Sequence, residues 1–393
     1  MTAYDYLIVG GGMTADAAAR GIRERDASGS IGVISDEAHA PYNRPPLSKG
    51  LWKGDAEESV HRQTHETGAT MHLGCRASQL DAAAKRVVDD RGTSYGYRRL
   101  LLATGGTPRR LDGAPDGVIY FRTLDDYRLT RELANRGQRF IVIGGGFIGS
   151  EVAAALRLQG CEVSMVVPEA GIGARVFPAD LARFVARYYR EKGIVVHLND
   201  TVSRIATGER GGYAVGVRTA GPLTADAVVA GLGITPNVDL AQQAGITVDN
   251  GIVVDTQLRT SVVDIYAAGD VARFVNPTLG HAMRVEHEDN ANTMGRLAGE
   301  NMAGGSASYD HLPFFYSDLF DLGYEAVGEI DARHEMVADW KEPYREGVVY
   351  YLDAGRVRGV LLWNTWGQVD AARALIAEPG PMTAQSLRGR LPA

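Results

Sequence analysis

Two short glycine turns are the residues best placed to do chemistry. In the first, Gly10, Gly12 and Ala15 stand at GxGxxA spacing between the apolar run YLIV and an alanine-rich stretch. A strand that ends in such a turn and opens a helix presents backbone N–H groups and the positive end of the helix dipole, which together hold a pyrophosphate. Asp36 follows the next apolar run, IGVIS, about 26 residues after Gly10, near the ~20 expected of an acid that accepts hydrogen bonds from a ribose. In the second turn Gly144, Gly146 and Gly149 meet the stricter GxGxxG form, and Glu169 comes about 25 residues later, beyond VSMVV. A carboxylate there repels a 2′-phosphate, which favours NADH over NADPH. Arg175, six residues on, either softens that choice or is a solvated surface charge. Glycines alone could serve only close helix–strand packing; an acid at the right distance after each turn favours the nucleotide reading.

The elements that must position these turns follow from the apolar pattern. Strands alternate with helical stretches from residue 4 to about residue 235, the signature of parallel sheets covered on both faces, so the fold class is α/β. Tyr6 to Arg25 and Phe140 to Gly160 read almost alike, each a strand, a glycine turn and an alanine-rich helix, so two Rossmann-like domains are expected. After about residue 305 the pattern turns antiparallel: GYEAVGEI, then GVVYYL and RVRGVLLWN joined by the short turn Asp353-Ala354-Gly355. This reads as a C-terminal α+β domain.

Composition narrows the class. The 393 residues are too many for one core. Forty-eight glycines exceed the usual share of about 7%, and they cluster at Gly10 to Gly12, Gly105 to Gly106 and Gly144 to Gly149, where backbone approaches a ligand. A net charge of −7 speaks against nucleic acid or an anionic membrane as partner. No apolar run approaches the roughly 18 residues of a membrane span, and the start enters a strand at once, so a cytoplasmic location is expected. Cys75 and Cys161 form no CxxC or CxxxxC pair, so neither a dithiol relay nor a zinc site is expected, and both should be buried thiols. Two dinucleotide folds on one chain have few uses other than joining a flavin to a nicotinamide.

On these motifs the sequence resembles the FAD-dependent pyridine nucleotide-disulphide oxidoreductases built on the glutathione-reductase plan, and within them the ferredoxin-reductase and apoptosis-inducing-factor branch. The resemblance covers nearly the whole chain. It implies that the first fold takes FAD through Gly10, Gly12, Met13, Thr14 and Ala15, with Asp36 and Glu37 beyond the next strand and Ala77 further on. PYNRPPLSKGLW, Pro41 to Trp52, looks like the flavin segment, in which Arg44 and Lys49 touch FAD; without the family it is a proline-rich surface loop. LLLATGG resembles the return to the flavin site, with Ala103, Thr104 and Gly105, and YFRTLDD supplies Arg122 to FAD. TSVVDIYAAGD resembles the second flavin fingerprint, with Gly269 and Asp270. Because that fingerprint recurs after the second fold, the resemblance implies an NAD domain at 111–235 inserted in an FAD domain at 1–110 and 236–305, with the C-terminal domain at 306–393.

Val285 to Gly304 resembles the helix facing the flavin, with Glu286 and His287 at its start; His287 is equally readable as an ordinary histidine. In FFYSDLFDLGYEAVG the expected ring partner of the flavin is Tyr316, where relatives often carry Trp. The closing stretch VRGVLLWNTWGQVDAARALI also resembles that branch, which implies Trp363 and Trp366 near the flavin edge or in an interface; Trp363 fits core packing at least as well. The second fold would take NAD(H) through Gly144, Gly146, Phe147, Ile148, Gly149, Glu151, Glu169, Arg175 and Gly233. For hydride transfer over roughly 3 to 3.5 Å, the resemblance implies that Phe147 covers the nicotinamide face and swings away. Glu151 would hold the carboxamide and pair with Lys49. As alternatives, Phe147 is a core residue at a helix start and Glu151 a first-turn acid. The implied function is electron transfer from NADH through FAD to a redox protein such as a ferredoxin or rubredoxin. An NADH-responsive sensor like apoptosis-inducing factor is the alternative, as is reduction of a quinone, dioxygen or an ascorbate radical. A homodimer is possible by analogy.

Overall fold

The computed structural model describes residues 2–208 and 211–392. The chain divides into two compact units, each assembled from separated stretches: 1–44, 56–107 and 235–313 in the first, 45–55, 108–234 and 314–393 in the second.

The first unit is built on a mixed sheet. Its apolar strands Thr70–His72, Ile31–Ile34, Thr2–Val9 and Ser94–Leu102 lie side by side in parallel, and Ile265–Ala267 joins the far edge of Ser94–Leu102. The register aligns Val9 with Ile34 and Leu102, and Leu102 with Ala267, so that these strands end together. Crevices beyond the carboxyl ends of parallel strands are where such sheets bind ligands. Arg86–Asp89 and Ala77–Asp81 continue the sheet as an antiparallel flap. Leu7, Ile8, Leu100, Leu101 and Val33 are fully buried, as strands covered on both faces require. The helices Met13–Arg23 and Glu288–Met302 pack backbone to backbone. A Cβ on Gly21 would lie 2.1 Å from the Arg296 carbonyl oxygen, and one on Gly299 2.1 Å from that of Ala18.

The second unit carries the parallel sheet Val195–Leu198, Val163–Val167, Phe140–Ile143 and Ala227–Ala230, in that order. The antiparallel sheet Val202–Thr207, Tyr213–Val217 and Gly221–Ala225 adjoins it in sequence. A further antiparallel sheet runs Phe314–Leu319, Leu322–Gly328, Arg356–Trp363, Glu346–Asp353, Glu335–Glu342. The expected turn at Asp353-Ala354-Gly355 is present, with positive φ at Ala354 and Gly355.

Packing explains the membership of two stretches in the second unit. Residues from Phe314 onward belong to the same unit as the second nucleotide fold, because aromatic packing joins them. Phe177 meets Tyr324 and Trp363 edge-on at 5.3 and 5.4 Å, and the Tyr351 hydroxyl donates to the Val176 carbonyl at 2.6 Å. The proline-rich segment also splits. Pro45–Asp55 goes with the second unit because Leu47, Leu51 and Trp52 are buried there; Trp52 packs edge-on to Tyr127 and its backbone carbonyl accepts from Gln159 Nε2 at 2.9 Å.

Candidate functional site

In the first unit three turns meet. Gly10 has a positive φ, and a Cβ on it would lie 2.1 Å from the Ala103 carbonyl oxygen, so only glycine lets the first turn approach the 103–105 turn this closely. The Gly269 turn closes in from the other side, where a Cβ would lie 2.3 Å from Thr14 Oγ1. Thr104 is fixed by Asn237, which accepts from its hydroxyl through the backbone carbonyl and donates back to its carbonyl through Nδ2. Nothing lies within 4 Å of a Cβ placed on Gly12, and the helix Met13–Arg23 begins there without a side-chain cap. Open space in front of uncapped N–H groups fits a dinucleotide pyrophosphate.

The acids and cations of this unit sort themselves. Asp36 is exposed, whereas Glu37 is half-buried and takes Arg44 Nη2 on one oxygen and the Tyr42 hydroxyl at 2.5 Å on the other. Burial works against the charge of Arg44, and the neighbouring Glu37 and Tyr42 oxygens outweigh it, so its pKa lies above the ordinary value. Asp270 is half-buried and its carbonyl accepts from Arg284 Nη1 at 2.9 Å; Arg284 also pairs with the exposed Glu286 at 2.7 Å. His287 stands just before the helix Glu288–Met302, and the surrounding protein pushes its imidazole down to about 4 against the smaller pull of Asp270 and Asp289. It is therefore neutral at pH 7. Met13 lies at the helix start and Ala77 on the flap, packed against the core. Lys49, Arg122 and Tyr316 belong to the second unit. There the Arg122 backbone N–H donates to Asp126, the acid of the capping box that starts the helix Leu124–Asn135.

The second turn repeats the first. Gly144 has a positive φ and faces the Gly231 carbonyl, Gly146 opens on free space at the uncapped start of Phe147–Leu158, and a Cβ on Gly149 would lie 2.2 Å from the Gly144 carbonyl oxygen. Ile148 is exposed, and Gly233 holds a positive φ on the opposite strand's exit. Glu169 accepts from Arg175 Nε at 2.7 Å, while Arg175 is 81% exposed. The exposed guanidinium thus balances part of the charge of Glu169.

Glu151 is not in the first turn of its helix; it sits one turn in, with its side chain 2% exposed. Lys49 Nζ lies 2.8 Å from its Oε2, Ser48 Oγ donates to Oε2 at 2.6 Å, and Ser317 Oγ donates to Oε1 at 2.5 Å. A buried carboxylate is tolerable only with such partners. Its field is felt around it: burial, and then the Glu151 charge, raise the pKa of the Tyr189 and Tyr324 hydroxyls well above the ordinary value. Lys49 also stands 5.2 Å over the ring of Tyr316, which is 37% exposed. Phe147 lies against Phe315, ring centroids 4.8 Å apart. Trp363 is fully buried, stacked on Tyr324 with its Nε1 donating to the Tyr344 carbonyl, so of its two readings the core one holds; Trp366 is half-exposed. Cys75 and Cys161 are free and buried. Ser48, Ser317 and Phe315 escaped sequence reading, since a lone serine or phenylalanine carries no signal until the fold turns it toward a charge or a ring.

Residues 4–295 match the family described as pyridine nucleotide-disulphide oxidoreductase. The chain belongs to that family. It is an oxidoreductase whose cofactors are FAD and NAD(H). Residues 298–342 and 334–378 match a C-terminal domain described for mitochondrion-associated apoptosis-inducing factor. Among relatives, the ferredoxin–NAD(+) reductase component of the anthranilate 1,2-dioxygenase system of Burkholderia cepacia is 36% identical over 96% of this chain and 95% of its own. Mitochondrial apoptosis-inducing factor 1 of Dictyostelium discoideum is 31% identical over 95% of this chain and 78% of its own. The fold matches putidaredoxin reductase in its covalent complex with putidaredoxin, with a TM-score of 0.89, 29% identity, and 95% and 93% of the two chains covered. Among the described residues no helix is long and apolar enough to cross a membrane.

Proposed function

We propose that the chain takes hydride from NADH and delivers the electrons one at a time to a small iron–sulfur protein of the ferredoxin type. When bound, FAD supplies the conversion from paired to single electrons. The carrying observation is the buried Glu151 cluster, in which Lys49 from the proline-rich segment, Ser317 from the C-terminal sheet and Glu151 from the second nucleotide helix form one charge-balanced group. Glu151 holds the ammonium of Lys49 at a fixed place. Phe147, resting on Phe315, is the ring that yields when nicotinamide enters. The turns at Gly10 and Gly144 bind the two pyrophosphates, and Glu169 takes the ribose that marks NADH. Both cysteines are buried and free, which supports direct exit of electrons without a dithiol relay. The relatives that serve ferredoxin-type proteins support the choice of acceptor.

The match to the C-terminal domain of apoptosis-inducing factor favours a second reading, an NADH-responsive flavoprotein that changes association state. Anaerobic reduction of the purified protein with NADH, followed by long-wavelength absorbance and then addition of ferredoxin, quinone or air, separates the two. Rapid reoxidation by ferredoxin supports the reductase. A persistent long-wavelength band that resists every acceptor supports the sensor, and reoxidation by quinone or air alone replaces the ferredoxin with a small acceptor.

A further inference from the structure

Asp16 is a buried acid that the electron-transfer scheme does not use. It sits in the first turn of the helix Met13–Arg23, one turn past Gly12, with its side chain 1% exposed. A negative charge there opposes the very pyrophosphate that the helix start is built to hold. Its partners show what it does instead. One oxygen accepts from Thr64 Oγ1 at 2.7 Å, and the other from Arg62 Nε at 2.8 Å, with Arg20 Nε at 3.1 Å. Arg62 continues the chain of contacts, donating from Nη1 to Asn43 Oδ1 at 2.9 Å and from its backbone N–H to the Pro41 carbonyl at 3.0 Å. Asn43 N–H in turn donates to the Val60 carbonyl at 2.8 Å. Arg44, the next residue, is the one tied to Glu37.

We propose that Asp16 is a positioning residue for FAD: through Arg62 and Asn43 it fixes the loop 41–44 to the start of the dinucleotide helix, and so sets where Arg44 presents its charge. The proposal rests on the reading of this unit as the FAD fold. The helix itself does not depend on Asp16 for its place, because its opposite side is locked to Glu288–Met302 at Gly21, Gly295 and Gly299. Asp16 therefore serves the loop rather than the core.

Charge and position make opposite predictions. If Asp16 acted on the cofactor only as a charge, Asp16→Asn would remove a repulsion and tighten FAD binding. If it positions the loop, the same change turns one acceptor oxygen into a donor against Thr64 or Arg62, and binding weakens. The experiment strips FAD from the full-length protein and titrates it back, following flavin fluorescence, for wild type, Asp16→Asn, Asn43→Ala and the double variant. Apoprotein melting is followed in parallel by circular dichroism. Expected are a Kd raised at least tenfold in Asp16→Asn, about 1.4 kcal/mol, a rise of severalfold in Asn43→Ala, and a double variant no weaker than Asp16→Asn, with each apoprotein still folded at the titration temperature and the melt of Asn43→Ala unchanged. Additive losses, an unchanged Kd or a tighter one would overturn the proposal while leaving the FAD reading intact. Should Asp16→Asn fail to fold, Asn43→Ala decides alone, since it leaves the buried acid in place: an unchanged Kd there overturns the proposal. Failure of the wild-type chain to bind FAD would instead remove the reading beneath it.

Discussion

Lys49→Met tests whether the Glu151 cluster is structure, chemistry or both. The change keeps the stem of the side chain, one atom shorter, and removes its charge, stranding a carboxylate whose side chain is 2% exposed. Breaking a buried pair by deleting one partner costs about 3 to 5 kcal/mol. Here Ser48 and Ser317 still donate at 2.6 and 2.5 Å, so the lower end, about 3 kcal/mol, is the expectation. The protein has a convenient reporter. Its four tryptophans are Trp52, Trp340, Trp363 and Trp366, and all fall in the second unit, so urea melts followed by tryptophan fluorescence read that unit alone. Pairing the change with Glu151→Gln removes the stranded charge, and the double variant should regain most of the lost stability. Flavin reduction by NADH in anaerobic stopped flow should slow at least tenfold in Lys49→Met, about 1.4 kcal/mol of barrier, and should not recover in the double variant. An unchanged melting midpoint would refute the buried-pair reasoning. A reduction rate that returns together with stability would show the cluster to be only structural.

Two further outcomes follow from the glycine turns and from His287. Gly149→Ala places a methyl 2.2 Å from the Gly144 carbonyl oxygen and should destabilise the second unit by about 1 to 3 kcal/mol, whereas Gly146→Ala opens on empty space and should leave the tryptophan melt within about 0.5 kcal/mol while raising the KM for NADH. The folded His287 is depressed to about 4 from 6.5, so below pH 6.5 the unfolded chain takes up a proton that the native state refuses. The His287 contribution to apoprotein stability therefore falls as pH drops from 6.5 to about 4, by up to about 3 kcal/mol, and that contribution levels off below. His287→Gln should flatten that stretch of a circular-dichroism stability profile, and an unaltered slope would contradict the burial of the ring.

What the sequence disclosed was chiefly what is local. A glycine turn between a strand and a helix needs only about ten residues to declare itself, and both turns are where the spacing placed them. Trp363 was readable as core from the alternation of its strand. Of the two acids after Ile31–Ile34, Asp36 is exposed and Glu37 is engaged by Arg44 and Tyr42, a pairing that no spacing rule announced. The partners of Glu151 were legible only in part, since Lys49 came from family resemblance while Ser48 and Ser317 reach the carboxylate across 103 and 166 residues. The antiparallel sheet from Val202 to Ala225 was not read either, because short strands with glycine and threonine give weak alternation. Asp16 hid for another reason. An acid in an alanine-rich helix normally marks a solvated face, and only partners far along the chain, Arg62 and Thr64, reveal that this one points inward.

The two nucleotide folds are alike in their turns and differ in what their buried acids grasp. Asp16 on the first helix holds the loop 41–44 through Arg62 and Asn43; Glu151 on the second holds Ser48 and Lys49 directly. These are consecutive halves of one proline-rich stretch, and the covalent chain passes from one grip to the other at Arg44-Pro45. Pro45 and Pro46 fix φ there and restrict Arg44 as well. A resemblance in sequence between the two openings thus conceals a division of labour. The acid of the first helix holds the loop 41–44, and the acid of the second holds the ammonium of Lys49. On this reasoning Asp16→Asn should alter FAD affinity and leave the reduction rate of the FAD-loaded fraction within about twofold, roughly 0.4 kcal/mol, while Lys49→Met does the reverse. If the loaded fraction of Asp16→Asn is slowed as severely as Lys49→Met, the two grips act as one rigid connection and the division fails.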